Sequence, residues 1–106
     1  ATAAQYGAAA TWCIMDNHSL GWVKFTQKYF HQGRYISTDF DVQPDFEMVA
    51  KASKCHGEKV ERPGEIGEAL SRALRSNEEG VPAVVDFIID GTKLPPGFME
   101  YYGINT

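Results

Sequence analysis

The segment Val81 to Ile89, VPAVVDFII, restricts what this chain can fold into more than any other stretch. It is an almost unbroken run of β-branched and aromatic residues. A strand with one wet face alternates polar and apolar side chains, whereas a strand covered on both faces need not. Pro82 stands near the start, where a missing N–H costs no ladder bond. Two shorter segments can pair with it. Thr11 to Met15, TWCIM, is an apolar run that stops abruptly at Asp16-Asn17, and Gly57 to Glu61 is a weaker candidate. Cys13 lies inside the first run and is expected to be a small buried hydrophobe.

Helical patterns fill the intervals. Pro44 suits a first helical position, Asp45 and Glu47 suit the positive end of a helix, and Phe46, Val49 and Ala50 form an apolar stripe. From Pro63 on, Ile66, Ala69, Leu70, Ala73 and Leu74 keep helical spacing, and Asn77 and Gly80 supply the stop. Leu20 to Phe30 is a third, aromatic-rich helix, and Ala1 to Ala10 resembles the middle of another. The alternation of helices and strands predicts an α/β fold with a parallel sheet and helices on both faces. Three strands are few for that class, so the chain reads as cut into a larger domain. After Asp90 comes GTKLPPGFMEYYGINT, a Pro/Gly/aromatic tail that needs a surface to lie on. The division is therefore residues 1–90 as domain and 91–106 as tail.

Composition narrows the function classes. The chain has 106 residues, a formal net charge of −4 and two cysteines, Cys13 and Cys55. Interspersed acids and bases argue against a nucleic acid partner, which needs a basic stripe. No apolar run nears the roughly 18 residues of a membrane span. Two cysteines make neither a disulfide framework nor a zinc motif, so a reducing, cytoplasmic location is expected.

The chemistry lies in Asp16-Asn17-His18-Ser19-Leu20-Gly21, between a buried strand and a helix. Ligands of open α/β sheets sit at the carboxyl ends of strands. The amide oxygen of Asn17 and the main-chain carbonyl of Ser19 could turn onto one hard cation, since magnesium takes oxygen ligands. The helix N-terminus beyond would face an anion such as a diphosphate. A plainer reading is that Asn, Asp, Ser and Gly are what any strand-to-helix turn uses. The spacing alone leaves both open.

Residues 16–30, DNHSLGWVKFTQKYF, are followed by Gly33-Arg34-Tyr35, Pro44-Asp45-Phe46 and the strand PAVVDFIID. In this order and at these intervals they resemble the acetolactate synthase-like branch of thiamine-diphosphate enzymes, over about residues 1–90. The resemblance implies a fragment of the doubly wound, diphosphate-binding domain, with the strand at 81–89 lying between those at 11–15 and 57–61. It implies thiamine diphosphate and magnesium as cofactors, with Asn17 as the side-chain metal ligand and Ser19 as the main-chain one. Leu20 and Gly21 would line the cofactor. The stretch Ala1 to Gly7 matches the helix after the family's Gly-Asp-Gly element, which supplies the other metal carboxylate and is not in this sequence. The pyrimidine-binding domain, usually from a second subunit, is likewise outside it, so partners are the rest of the enzyme in a homo-oligomer, with no nucleic acid or membrane. FAD, where the family uses it, would bind outside this chain.

Three departures from the family pattern matter. Asp16 stands where the first Asn of an Asn-Asn pair is usual, placing a carboxylate beside the metal position or merely orienting the loop. Trp22 replaces a Met near the substrate in relatives, and is expected at the substrate or at an interface. Thr26 occupies the place of a tryptophan that shapes acceptor choice. His18 and Arg34 are expected to be exposed loop residues, as are His31 and His56. The implied activity is that of a 2-oxo acid decarboxylase and carboligase, a lyase or transferase, with this chain alone inactive. Alternatives are a free-standing interaction or regulatory domain that kept the fold, and one subunit of a split enzyme.

Overall fold

β-Branched residues fit a pleated surface packed on both sides, and Ala83–Ile88 forms β3, the central strand of the sheet in the computed structural model, which describes residues 1–105. Thr11–Asp16 (β1) and His56–Val60 (β2) pair with it in parallel, giving the order β1-β3-β2. That is the order the resemblance implies. The register sets Trp12 beside Val84, Ile14 beside Asp86, and Val60 beside Phe87.

The chain divides into two compact units, and the sheet belongs to the first, residues 1–16 and 42–89. Helix α1 (Thr2–Gln5) opens it. Helix α3 (Phe46–Ala52) meets the face that carries Trp12, Ile14 and Val84. Asp45 is its N-cap and accepts a 3.0 Å hydrogen bond from the Met48 N–H, so Pro44 precedes the helix rather than opening it. Gly57 sits against α3, where a Cβ would lie 2.5 Å from the Glu47 carbonyl oxygen and 3.0 Å from the Ala50 Cβ. A 3-10 turn at Pro63–Glu65 leads into α4 (Ile66–Glu78), which lies on the opposite face. There Ala69 and Ala73, both fully buried, let the helix approach Val60, Ala83, Val85 and Phe87, with Leu70 packed at the margin. Helices on both faces of a parallel sheet match the expected α/β class.

The second unit comprises residues 17–41 and those from Asp90 on. It holds α2 (Gly21–Phe30) and a short helix, α5 (Phe98–Tyr101). Among the described residues no helix is long and apolar enough to cross a membrane.

Four further expectations need correction. The N-terminal helix ends at Gln5, because Gly7 takes a left-handed φ of 62° and turns the chain towards β1. Cys13 is exposed, since β1 is an edge strand and α4 covers its face only partly. His56 opens β2 instead of lying in a loop, with Nε2 2.8 Å from Glu58. The second strand starts one residue earlier than Gly57 and closes at Val60.

Candidate functional site

In the first unit the strand that precedes the turn in sequence ends in a well-held residue. Asp16, the last residue of β1, is buried, and its Oδ2 accepts a 2.6 Å hydrogen bond from Gln43 Nε2. Its carbonyl also accepts the Ile89 N–H at 2.9 Å. The carboxylate bond and the carbonyl bond both hold the strand end.

Within the second unit, His18 adopts a left-handed φ of 56°, an uncommon conformation for a residue with a side chain. Its reversal lets Asn17 Oδ1 accept the Ser19 N–H at 3.1 Å, a turn closed by a side-chain amide. The Leu20 N–H bonds the Thr38 carbonyl at 2.8 Å, and the Phe40 N–H bonds the His18 carbonyl at 2.9 Å. These bonds flank the antiparallel bridge between Ser19 and Asp39, making them a non-hydrogen-bonded pair. In such a pair the residue's own N–H and C=O point away from the partner segment. Since the Ser19 N–H meets Asn17 Oδ1, its C=O is turned to that same side.

Two oxygens, Asn17 Oδ1 and Ser19 O, thus share one side of the turn. An amide oxygen carries two lone pairs, so the Ser19 bond leaves Oδ1 able to accept again. Such donors suit a hard cation. No three His, Cys, Asp or Glu side chains gather around a possible cation among the described residues.

Helix α2 starts directly after, with Leu20 at its N-cap. It has neither a side-chain cap nor an acidic residue in its first turn, so its leading N–H groups suit an anion. Gly21 has a second role. A Cβ there would lie 2.4 Å from Asn17 Nδ2, and the missing side chain is what gives the amide its room.

The first turns of α2 also carry the aromatic stripe. Phe25 is buried, whereas Trp22 is 47% exposed. The Trp22 indole N–H donates to Tyr102 Oη at 3.0 Å, and its ring lies edge-on to Phe98 with centroids 5.0 Å apart. Phe98 in turn meets Phe25, Tyr29 and Tyr102 at 5.7, 6.0 and 4.9 Å. The tail's surface is therefore α2, and Trp22 is anchored to it. Thr26 closes its hydroxyl on the Val23 carbonyl at 2.7 Å, a bond internal to the helix.

The other loop residues singled out in the sequence are exposed. The Arg34 guanidinium is exposed and lies 3.4 Å from the His31 carbonyl, as expected of a loop arginine. His18 and His31 are exposed. Three contributors escaped sequence reasoning. Gln43 fixes Asp16, and Lys24 Nζ holds Asp39 at 2.5 Å beside the bridge. The third is Gly91, where a Cβ would lie 2.9 Å from the Asn17 carbonyl oxygen. All three join positions distant in sequence, and no local signal marks them.

Comparison with known proteins identifies the family. Residues 1–87 match the family model described as thiamine pyrophosphate enzyme, C-terminal TPP binding domain. A probable acetolactate synthase large subunit from Methanococcus aeolicus is 36% identical over 100 residues, covering 91% of this chain and 16% of that protein. One of the same description from Methanocaldococcus jannaschii is 32% identical over 101 residues, or 92% of this chain and 17% of the relative. The acetolactate synthase isozyme 2 large subunit of Escherichia coli K12 is 38% identical over 64 residues, 60% of this chain and 12% of its own. The chain thus spans about one sixth or less of the length of these relatives.

Proposed function

This chain belongs to the family of C-terminal thiamine-pyrophosphate-binding domains, and on that footing we propose that it supplies half of a magnesium–diphosphate site in an acetolactate synthase-like enzyme. The observation that carries the reading is the shared orientation of Asn17 Oδ1 and Ser19 O at the end of a parallel strand. Asn17 would hold the magnesium through its side chain and Ser19 through its carbonyl, as an oxygen-preferring cation requires. Leu20 and Gly21 would face the diphosphate across the uncapped N-terminus of α2. The carbon chemistry, decarboxylation of a 2-oxo acid and transfer of the acyl unit to an acceptor, is what thiamine diphosphate supplies when bound. This chain's residues bind and orient.

Trp22 stands one residue beyond this loop and keeps nearly half its surface open, which supports a place beside the substrate. Its anchoring by Tyr102 and Phe98 makes it a fixed wall rather than a mobile side chain. The carboxylate that completes the metal shell and the pyrimidine-binding domain would come from outside this chain, as would any FAD. The edge position of β1, with Trp12 48% and Met15 57% exposed, supports such partners and assembly as a homo-oligomer, for which a cytoplasmic location is part of the proposal. Residues 1–90 would be the domain portion and the remainder a tail.

Calorimetric titration of the isolated chain with thiamine diphosphate and magnesium tests the half-site. The expected result is no tight binding and no turnover of a 2-oxo acid. Tight, stoichiometric binding by this chain alone would overturn it.

A further inference from the structure

Asn17 is held between two glycines. On one side stands Gly21, whose Cβ would lie 2.4 Å from Asn17 Nδ2. On the other is Gly91, just beyond β3 in sequence, whose Cβ would lie 2.9 Å from the Asn17 carbonyl oxygen and 3.4 Å from the Asn17 Cβ. The two contacts differ in kind. A clash at Gly21 would meet the end of a side chain that can rotate, but a clash at Gly91 would meet backbone, which cannot move without carrying the turn with it. Gly91 is not in the left-handed region, so an alanine there would suffer no backbone strain and would act only through this contact. The position of Gly91 is itself fixed. Asp90 Oδ1 accepts both the Thr92 N–H at 2.9 Å and the Thr92 hydroxyl at 2.6 Å, closing a tight turn around it.

We propose that Gly91 is a positioning residue that sets the Asn17 amide for magnesium, touching neither metal nor cofactor. This rests on the reading of Asn17 as a metal ligand. An alanine at 91 pushes the Asn17 carbonyl and Cβ outward, and with them the direction of Oδ1 and the Ser19 carbonyl that follows in the same turn. Groups that aim a metal ligand without binding the metal typically change affinity by about 10–100-fold when altered. The present displacement, a few tenths of an ångström, belongs at the lower end.

The test uses the full-length polypeptide that carries this chain, with thiamine diphosphate and magnesium titrated by calorimetry and melting followed without either ligand. Gly91→Ala is expected to weaken binding about tenfold while its ligand-free melting midpoint stays that of the parent. Gly67→Ala is the control for glycine replacement itself: a Cβ there meets nothing within 4 Å, and its affinity should not change. Asn17→Ala separates the two levels of the argument. Should Asn17→Ala bind as the parent does, the metal-ligand reading fails. Should Asn17→Ala lose affinity while Gly91→Ala keeps it, the ligand stands and the positioning role is overturned. A Gly91→Ala protein that has lost its melting transition before ligand is added would also overturn it, since the contact would then be holding the fold.

Discussion

Replacing Phe98 with alanine should release the C-terminal tail, and the size of the effect follows from its surroundings. Phe98 is 1% exposed and is ringed by Trp22, Phe25, Tyr29 and Tyr102. A buried phenylalanine removes about 200 Å² from water, worth about 5 kcal/mol at 25 cal/mol per Å². Alanine retains a small part of that, and measured Phe→Ala substitutions in cores cost about 3–5 kcal/mol. Taking about 4 kcal/mol, the docking equilibrium of α5 falls by a factor of about a thousand. A four-residue helix has little stability of its own, so the loss should appear as local opening. Native-state hydrogen exchange reads it directly. The Tyr101, Tyr102 and Ile104 amides, bonded to Gly97, Phe98 and Met99, should lose about a thousandfold of protection, or all of it if they begin with less. The Val85 and Phe87 amides of β3 should keep theirs. Unchanged protection at 101–104 would refute Phe98 as the anchor, and equal loss in β3 would refute the local nature of the opening.

Other expectations follow from single contacts. Gly57→Ala drives a Cβ to within 2.5 Å of the Glu47 carbonyl, so α3 must shift off the sheet, at about 1–3 kcal/mol and a fall of several degrees in the thermal midpoint; an unchanged midpoint would contradict the close packing. Burial opposes charge on Glu58, but hydrogen bonds and charge from His56 and Arg72 outweigh it and hold its pKa below the usual 4.5. A depressed carboxylate contributes stability above its unfolded pKa and loses it as pH falls through the folded one. Glu58→Gln should therefore cost about 1 kcal/mol at pH 7, with the gap to the parent closing below pH 4.5; urea melts showing a gap that persists in acid would argue against the cluster. Tyr102→Phe removes only the 3.0 Å bond to the Trp22 indole, worth about 1 kcal/mol, and should shift Trp22 fluorescence without altering β3 exchange.

How far the sequence foretold this depends on whether the signal is local. The run from Val81 to Ile89 announced a doubly covered strand because burial on both faces leaves no room for alternation. The spacing of Ile66, Ala69, Leu70 and Ala73 likewise revealed α4. Strand order came through family resemblance, since pairing partners leave no mark in a single parallel strand. The same logic misled at Cys13, because an apolar run says a strand can be covered and not that it is. Alanine-rich sequence suggested a long first helix that Gly7 cuts short. Helix α5 was hidden, as four residues behind Pro-Pro-Gly carry no periodicity and gain their order from α2. At the candidate site Asn17 and Ser19 were singled out by residue type and family pattern. The glycines that give Asn17 its room act through distances that only the folded chain defines.

The most direct measurement is the magnesium-dependent binding of thiamine diphosphate by full-length polypeptides carrying Asn17→Ala or Asn17→Asp. Removing the oxygen should weaken binding about a hundredfold or more, while the aspartate, which keeps an oxygen in the same place, should retain most of the affinity. Parent-like binding by Asn17→Ala would contradict the assignment of this turn as the metal site.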